Sequence, residues 1–252
     1  METKRYPVTF EGEEADVGTA FELVAALDVL QGERDRMVLE QLGPHLPDII
    51  SNAFGLVEVL KILAPEDRLY LLKAIGPEIV RVLGDARGLR DVLSILAEER
   101  VEEALLDALG SEQLRRLIGT PEELSEVLEW VYGECDRVLL DLLGTEFLTA
   151  LCRNAHELSL VLNALNPQLQ GGVVDMLGLD RVAGLIHDWR DLAYLMRALP
   201  SYLSASVLGR LQKEQLERIL HNERGWQALL PFLETQEVDY LAKVLEIKHH
   251  AK

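Results

Sequence analysis

Apolar residues along this chain fall in short clusters with helical spacing, and the clusters themselves recur. Leu56, Val59, Leu60 and Leu63 lie at i, i+3, i+4 and i+7, which puts them on one stripe of a helix. Aligning the segments that begin at Phe21, Gly55, Gly88, Glu123, Glu157, Asp191 and Gly225 brings Leu23, Leu56, Leu89, Leu124, Leu158, Leu192 and Trp226 into one column. Its steps are 33, 33, 35, 34, 34 and 34 residues. A second column, Gly43, Gly76, Gly110, Gly144 and Gly178, advances by 33, 34, 34 and 34, with Gln212 where the sixth glycine would fall. Two columns that hold the same phase over most of the chain define a repeat, and a period in this range points to stacked helical modules.

Each module divides into three short helices. Helix A carries the leucine column. Four residues before that leucine stands a side chain able to cap the helix: Asn52, Asp85, Thr120, Asn154, Asp188 and Asn222 in successive copies. Helix B opens near Pro65 in the second copy and at Pro167, behind the cap Asn166, in the fifth, because proline suits a first helical position that needs no amide donor. Its buried face is predicted from Leu72 and Ile75, Leu106 and Leu109, and Leu140 and Leu143. The following glycine is expected to close it in the left-handed conformation. Pro44 and Pro77, directly after two of these glycines, oppose continuation into one long helix. Helix C is predicted from Ile79 and Leu83, Leu114 and Ile118, Leu148 and Leu151, Val182 and Ile186, and Leu216 and Leu220.

Leucine, 50 of the 252 residues, outweighs the β-branched and aromatic residues that enrich sheets, and period-two alternation is absent after residue 20. The predicted class is all-α: a right-handed superhelical α-solenoid of six to seven repeats, each of two to three short helices, in one domain over residues 19–247. Helices this short are marginal alone in water, so stability must come from neighbouring modules sharing buried faces. Residues 1–18, with Tyr6, Val8 and Phe10 in alternation before the acidic run Glu11, Glu13, Glu14 and Asp16, fit no copy and are expected to form an extended or disordered arm in the position of a cap. The last copy also departs from the pattern, with Trp226 for leucine, Pro231 inside helix A and a polar tail over residues 248–252.

The period invites comparison with tetratricopeptide arrays, which use two longer helices per unit. Glycine ending the second of three short helices resembles pumilio or armadillo-type repeats instead. The segments Leu56-Val57-Glu58-Val59-Leu60 and Pro65-Glu66-Asp67-Arg68 are similar to the leucine-rich helical repeats of magnesium-transporter cytosolic domains and flagellar motor switch proteins. The resemblance implies the solenoid class and nothing finer.

Composition narrows the function classes. With 25 Lys plus Arg against 43 Asp plus Glu, the net charge is −18, opposed to the cationic surface that nucleic-acid binding requires and to anionic membranes. No run nears the roughly 18 apolar residues of a membrane span, and Met1 to Asp16 has no signal-peptide core, so a cytoplasmic protein without membrane insertion is expected. Cys135, placed in the loop between helices A and B, and Cys152, in helix C, are read as small thiols that are not nucleophiles. His187 and His221 are 34 residues apart, and equivalent positions in adjacent modules stand on the order of 10 Å from each other, too far to share an ion easily. His249 and His250 belong to the polar tail. Glu98, Glu99, Glu102 and Glu103 read as the wet face of a helix. No phosphate loop, nucleophile elbow or two-histidine metal motif occurs, so no enzyme activity, catalytic residue, metal or cofactor is expected.

Positions that vary between modules are the candidate binding rows. One residue after the column leucine come Val24, Val57, Arg90, Ser125, Ser159, Ala193 and Gln227; five after it come Asp28, Lys61, Ser94, Glu129, Asn163, Arg197 and Pro231. As i and i+4 neighbours they share a helix face. With Trp189 and Tyr194 adding aromatic area, the candidate partner-binding residues are Arg90, Ser94, Ser125, Glu129, Ser159, Asn163, Trp189, Tyr194 and Arg197. Trp130 and Trp226 are assigned to the core. Residues 1–126 hold 26 acids and 13 bases against 17 and 12 in 127–252, which favours a partner with a basic surface at the N-terminal half. The expected function is a non-catalytic scaffold or adaptor that binds a polypeptide along its concave side. The alternatives are a pumilio-like reader of single-stranded RNA, which would need recurrent base-reading side chains, and a catalytic or small-molecule-binding solenoid.

Overall fold

The structure, a computed structural model, describes residues 4–10, 13–30, 35–96, 99–131, 134–221 and 223–245. The cap position Asn222, Glu98, the Glu99 side chain, and the tail with His249 and His250 lie outside the described residues. Strands β1 (Tyr6–Phe10) and β2 (Glu13–Val17) come first. The first module is α1 (Ala20–Leu30), α2 (Asp35–Leu42), a 3₁₀ turn and α3 (Leu46–Ile49), and the second is α4 (Ala53–Ile62), α5 (Pro65–Ile75) and α6 (Ile79–Leu83). The third is α7 (Ala86–Leu93) and α8 (Glu99–Leu117), and the fourth is α9 (Pro121–Leu128) and α10 (Cys135–Leu151). The fifth is α11 (Ala155–Ala164), α12 (Pro167–Leu177) and α13 (Leu179–Gly184); the sixth is α14 (Trp189–Ala198), α15 (Ser201–Leu208) and α16 (Lys213–Ile219). Last come α17 (Glu223–Leu229), a 3₁₀ turn and α18 (Thr235–Val244). Among the described residues the fold is all-helical apart from the hairpin.

The chain forms two compact units, Met1–Gly119 with Glu126–Leu143, and Thr120–Ser125 with Gly144–Lys252. In the first, α4 packs between α1 and α7, and α5 packs on α8. In the second, α14 packs between α11 and α17. Helix A therefore lies beside helix A within each unit. The six column leucines, Leu23, Leu56, Leu89, Leu124, Leu158 and Leu192, are each 0% exposed. Full burial of one such side chain contributes about 1.5–3 kcal/mol. The helix B and helix C residues predicted as core are likewise buried. In the last module Trp226 is only half-buried and Leu229 takes the interior place.

The predicted caps at Asn52, Asp85, Thr120, Asn154 and Asp188 all form. Each side chain accepts from the amide three residues on, at 2.8, 2.9, 3.2, 2.9 and 3.0 Å. Thr19 does the same for Glu22 at 3.2 Å. In the fourth and sixth modules the acid at that third residue also accepts from the cap residue's own amide, Glu123 from Thr120 at 3.0 Å and Asp191 from Asp188 at 3.4 Å. Each cap contributes roughly 1 kcal/mol and fixes where helix A begins.

The glycine column works differently from the expected left-handed closure. Gly76, Gly110, Gly144 and Gly178 have φ of 53, 63, 74 and 84°, but their ψ values are −133, 174, 162 and 134°. Positive φ with an extended ψ is backbone that only glycine enters without strain. The chain thus makes a corner from helix B into helix C. At Gly110 and Gly144 the two helices run on end to end across the corner. Gly43 is outside the positive-φ set, and Gln212 turns the corner with φ −74 and ψ 155°.

Eight residues before this column stands a polar position that hydropathy alone does not reveal. It holds Asp35, Arg68, Glu102, Asp136, Gln170 and Ser204, with Glu237 the counterpart in the last module; all except the half-buried Arg68 are buried. Arg68 Nε donates to the Leu60 carbonyl at 2.9 Å, and Gln170 Nε2 donates to the Leu162 carbonyl at 2.8 Å. The last turn of helix A leaves carbonyls without intrahelical donors, and in these two modules helix B supplies one. Glu102, assigned to a wet face, is 0% exposed, at the position equivalent to Arg68 and Gln170; Glu103 is exposed.

Within residues 1–18, expected to form an extended or disordered arm, Tyr6–Phe10 and Glu13–Val17 pair antiparallel with Tyr6 opposite Val17 and Val8 opposite Ala15, while Glu11 lies outside the described residues. Val8 and Val17 are buried, β1 packing on α2 and β2 on α1. Gln41 holds the edge by accepting from the Thr9 amide and donating to the Thr9 carbonyl, both at 3.1 Å. Tyr6 stacks on His45 with ring centroids 4.0 Å apart and donates to Asp48 at 2.9 Å.

A Cβ at Gly110 would meet nothing within 4 Å, so any penalty there is conformational. Gly110→Ala is expected to destabilise by about 1–3 kcal/mol. Gly172→Ala, at an exposed helical position with equally open space, is expected to stabilise by roughly 0.5–1 kcal/mol. Urea unfolding midpoints of both variants against wild type check the contrast.

Candidate functional site

Helix A exposes the side opposite its leucine stripe, and the predicted binding residues divide on it into two groups and three outliers. Arg90, Ser94 and Glu129 line a groove of about 410 Å³ with Asp91, Glu126 and Trp130. Arg90 is already engaged there: Nη2 lies 2.7 Å from Asp91 and Nη1 lies 3.0 Å from Glu126. Its hydrogen bond to Asp91, more than the second carboxylate, raises its pKa. Ser94 Oγ donates to the Asp91 carbonyl at 2.7 Å. The one cation of this groove is held by its own carboxylates, and with Glu129 the lining carries three acids to one base.

Trp189, Tyr194 and Arg197 meet in a second cleft, about 290 Å³, with Arg190, Ala193 and Phe232. The cap at Asp188 starts α14 so that Arg190, Ala193, Tyr194 and Arg197 fall at i, i+3, i+4 and i+7 on one face. Tyr194 is 42% exposed and its ring packs on His156 at 4.7 Å. The Arg190 guanidinium lies 5.4 Å from the centre of the Trp189 ring. Among the described residues no carboxylate lines this cleft.

Three predicted residues stand apart. Ser159 is buried with its Oγ donating to the His156 carbonyl at 2.7 Å, so it does not belong to an exposed row. Val57 of the same row is buried too. Asn163 is exposed and Ser125 half-buried, neither in a cleft described above. Trp130, assigned to the core, is 39% exposed because it lies beyond the end of α9. Sequence reasoning missed Arg190, two residues before the column leucine, and Phe232. The signal for Phe232 was Pro231, which stops α17 at Leu229 and turns the chain through Leu230–Phe232.

A third cleft, about 410 Å³ between α15 and α18, is lined by residues that include Tyr202, Tyr240, Glu234 and Glu237. Burial pushes the Glu237 carboxyl up; its bond from the Glu234 amide, 2.8 Å, opposes the shift. Among the described residues, no three His, Cys, Asp or Glu side chains gather as a metal site, and no helix is long and apolar enough to cross a membrane.

Both cysteines are interior. Cys135 is not in a loop but opens α10, and Cys152 follows the last residue of that helix, each 1% exposed. Burial pushes the Cys152 thiol up to about 12, with Glu157 adding and Arg181 opposing. At mildly alkaline pH neither native thiol is expected to react with a water-soluble aromatic disulfide, while both react once the chain is unfolded in guanidinium. Absorbance of the released thiolate measures this, and rapid native labelling would contradict the buried assignment.

No family model, curated protein or solved structure matches this chain.

Proposed function

We propose that the modules form one right-handed superhelical α-solenoid over residues 19–247, and that the protein is a non-catalytic cytoplasmic scaffold or adaptor that binds another polypeptide along helix A. The observation that carries this reading is the exposed face of α14, where tyrosine, tryptophan, phenylalanine and two arginines surround one cleft. Aromatic residues and arginine are the side chains that concentrate binding energy at protein interfaces. The acidity of the chain supports a polypeptide partner over a polyanion, and the N-terminal half favours a basic partner surface.

The test compares wild type, Tyr194→Ala/Arg197→Glu and a control, Arg116→Ala, as immobilised full-length chains exposed to ribonuclease-treated native extract, with recovered polypeptides identified by mass spectrometry. Arg116 is exposed and pairs with Glu112, one helical turn away. Wild type and control are expected to recover the same polypeptide, and the double variant about tenfold less of it. Equal recovery by all three, with unchanged circular dichroism, overturns the assignment.

A further inference from the structure

We propose that the α14 cleft docks an acidic segment of the partner, one that carries apolar side chains between two carboxylates. This rests on the polypeptide-binding reading above and names the chemistry of its ligand. The argument is one of charge. In a chain of net charge −18 many arginines pair with a carboxylate, as Arg5 with Glu22, Arg36 with Glu40, Arg81 with Glu78, Arg90 with Asp91 and Glu126, and Arg210 with Asp180, whereas among the described residues the exposed Arg87, Arg153 and Arg218 stand singly without such a pair. Arg190 and Arg197 are exposed, and among the described residues neither pairs with a carboxylate. Both line one cleft with Trp189, Ala193, Tyr194 and Phe232. Seven residues of helix separate them by about 10 Å along the axis. Three residue steps of an extended chain cover about the same length, so acids on either side of an apolar pair match the two guanidiniums.

The apolar floor is held in place before any ligand arrives. Tyr194 packs on His156, and a Cβ at Gly225 would come within 3.1 Å of the Trp189 ring, so α17 backs that indole closely. Rings already fixed lose little freedom on binding, and the flanking guanidiniums can each take a carboxylate in a two-pronged hydrogen bond. The groove around Arg90 offers no such capacity, because its own acids occupy the cation. The two clefts thus have opposite preferences even though both lie on helix A.

The experiment titrates the full chain with three synthetic peptides by isothermal calorimetry. One carries a Leu-Phe pair between two acidic pairs; the others replace the acids by their amides or by lysine. The acidic peptide is expected to bind at least about tenfold tighter than either counterpart, and to weaken as salt rises. Arg190→Ala/Arg197→Ala is expected to lose about tenfold for the acidic peptide alone, while Arg87→Ala/Arg100→Ala leaves it unchanged. Equal binding of all three peptides, or tightest binding of the lysine peptide, overturns the acidic-segment inference. If capture from extract still depends on Tyr194 and Arg197 in that case, the polypeptide-binding reading stands alone; if capture is also insensitive, both fall.

Discussion

The burial of one helix A against the next is the interaction on which the rest of each compact unit depends. Helices such as α7 and α9, eight residues each, cannot persist alone in water, because fixing the first turn costs more than so few backbone bonds return. What holds them is the column leucine, fully enclosed in six modules, together with close backbone approach. Gly55 leaves room for Ala20, whose Cβ would stand 2.8 Å from a Cβ placed there, and Gly88 leaves room for Ala53 in the same manner at 2.9 Å. Each helix therefore completes the core of its neighbour, and no module has an interior of its own.

A core built this way has to deal with many helix ends, each with unsatisfied backbone groups. The sequence handles many of them at recurring places in the period. The N-terminal amides of helix A meet Asn, Asp or Thr caps, its C-terminal carbonyls meet Arg68 or Gln170 from helix B, and the chain then turns sharply at a glycine. Helix C reaches back as well: Arg81 donates to the Pro47 carbonyl at 2.7 Å and Arg181 to the Thr149 carbonyl at 2.6 Å, each a full module away. The period of about 34 residues is thus a period of backbone satisfaction as much as of apolar burial.

What could be read directly from the sequence was whatever repeats. Leucine columns, caps, the proline start of helix B and the interior of helix C are each stated several times, and repetition separates them from chance. The misreadings share a physical cause: a residue's exposure on a short helix is set by what the neighbouring element covers, which its own type does not report. Ser159 and Glu102 look polar and lie inside; Trp130 looks apolar and is substantially exposed past a helix end. The glycine ψ angles were equally illegible, since a glycine column announces positive φ but leaves two regions open. The hairpin was half legible, because alternation showed in β1 but the pairing of Val17 and the role of Gln41 depend on partners far along the chain.

The two groups on helix A show why a shared row of positions does not amount to a shared surface. Arg90, one residue after the column leucine of the third module, and Arg197, five after that of the sixth, lie in neighbouring rows of one helix face, yet one is spent within the protein and the other is not. The difference comes from the adjoining residues: Asp91 and Glu126 beside the first, Tyr194, Ala193 and Phe232 beside the second. The Arg90 cation is already paired beside an excess of acids, so an acidic ligand would first have to displace an existing ion pair and recover little. At α14 the guanidiniums face water beside an apolar floor, and a ligand that supplies both carboxylate and hydrocarbon gains on both counts at once. A repeat fold can in this way keep its backbone solution constant while a few substitutions confine its recognition chemistry to a single module.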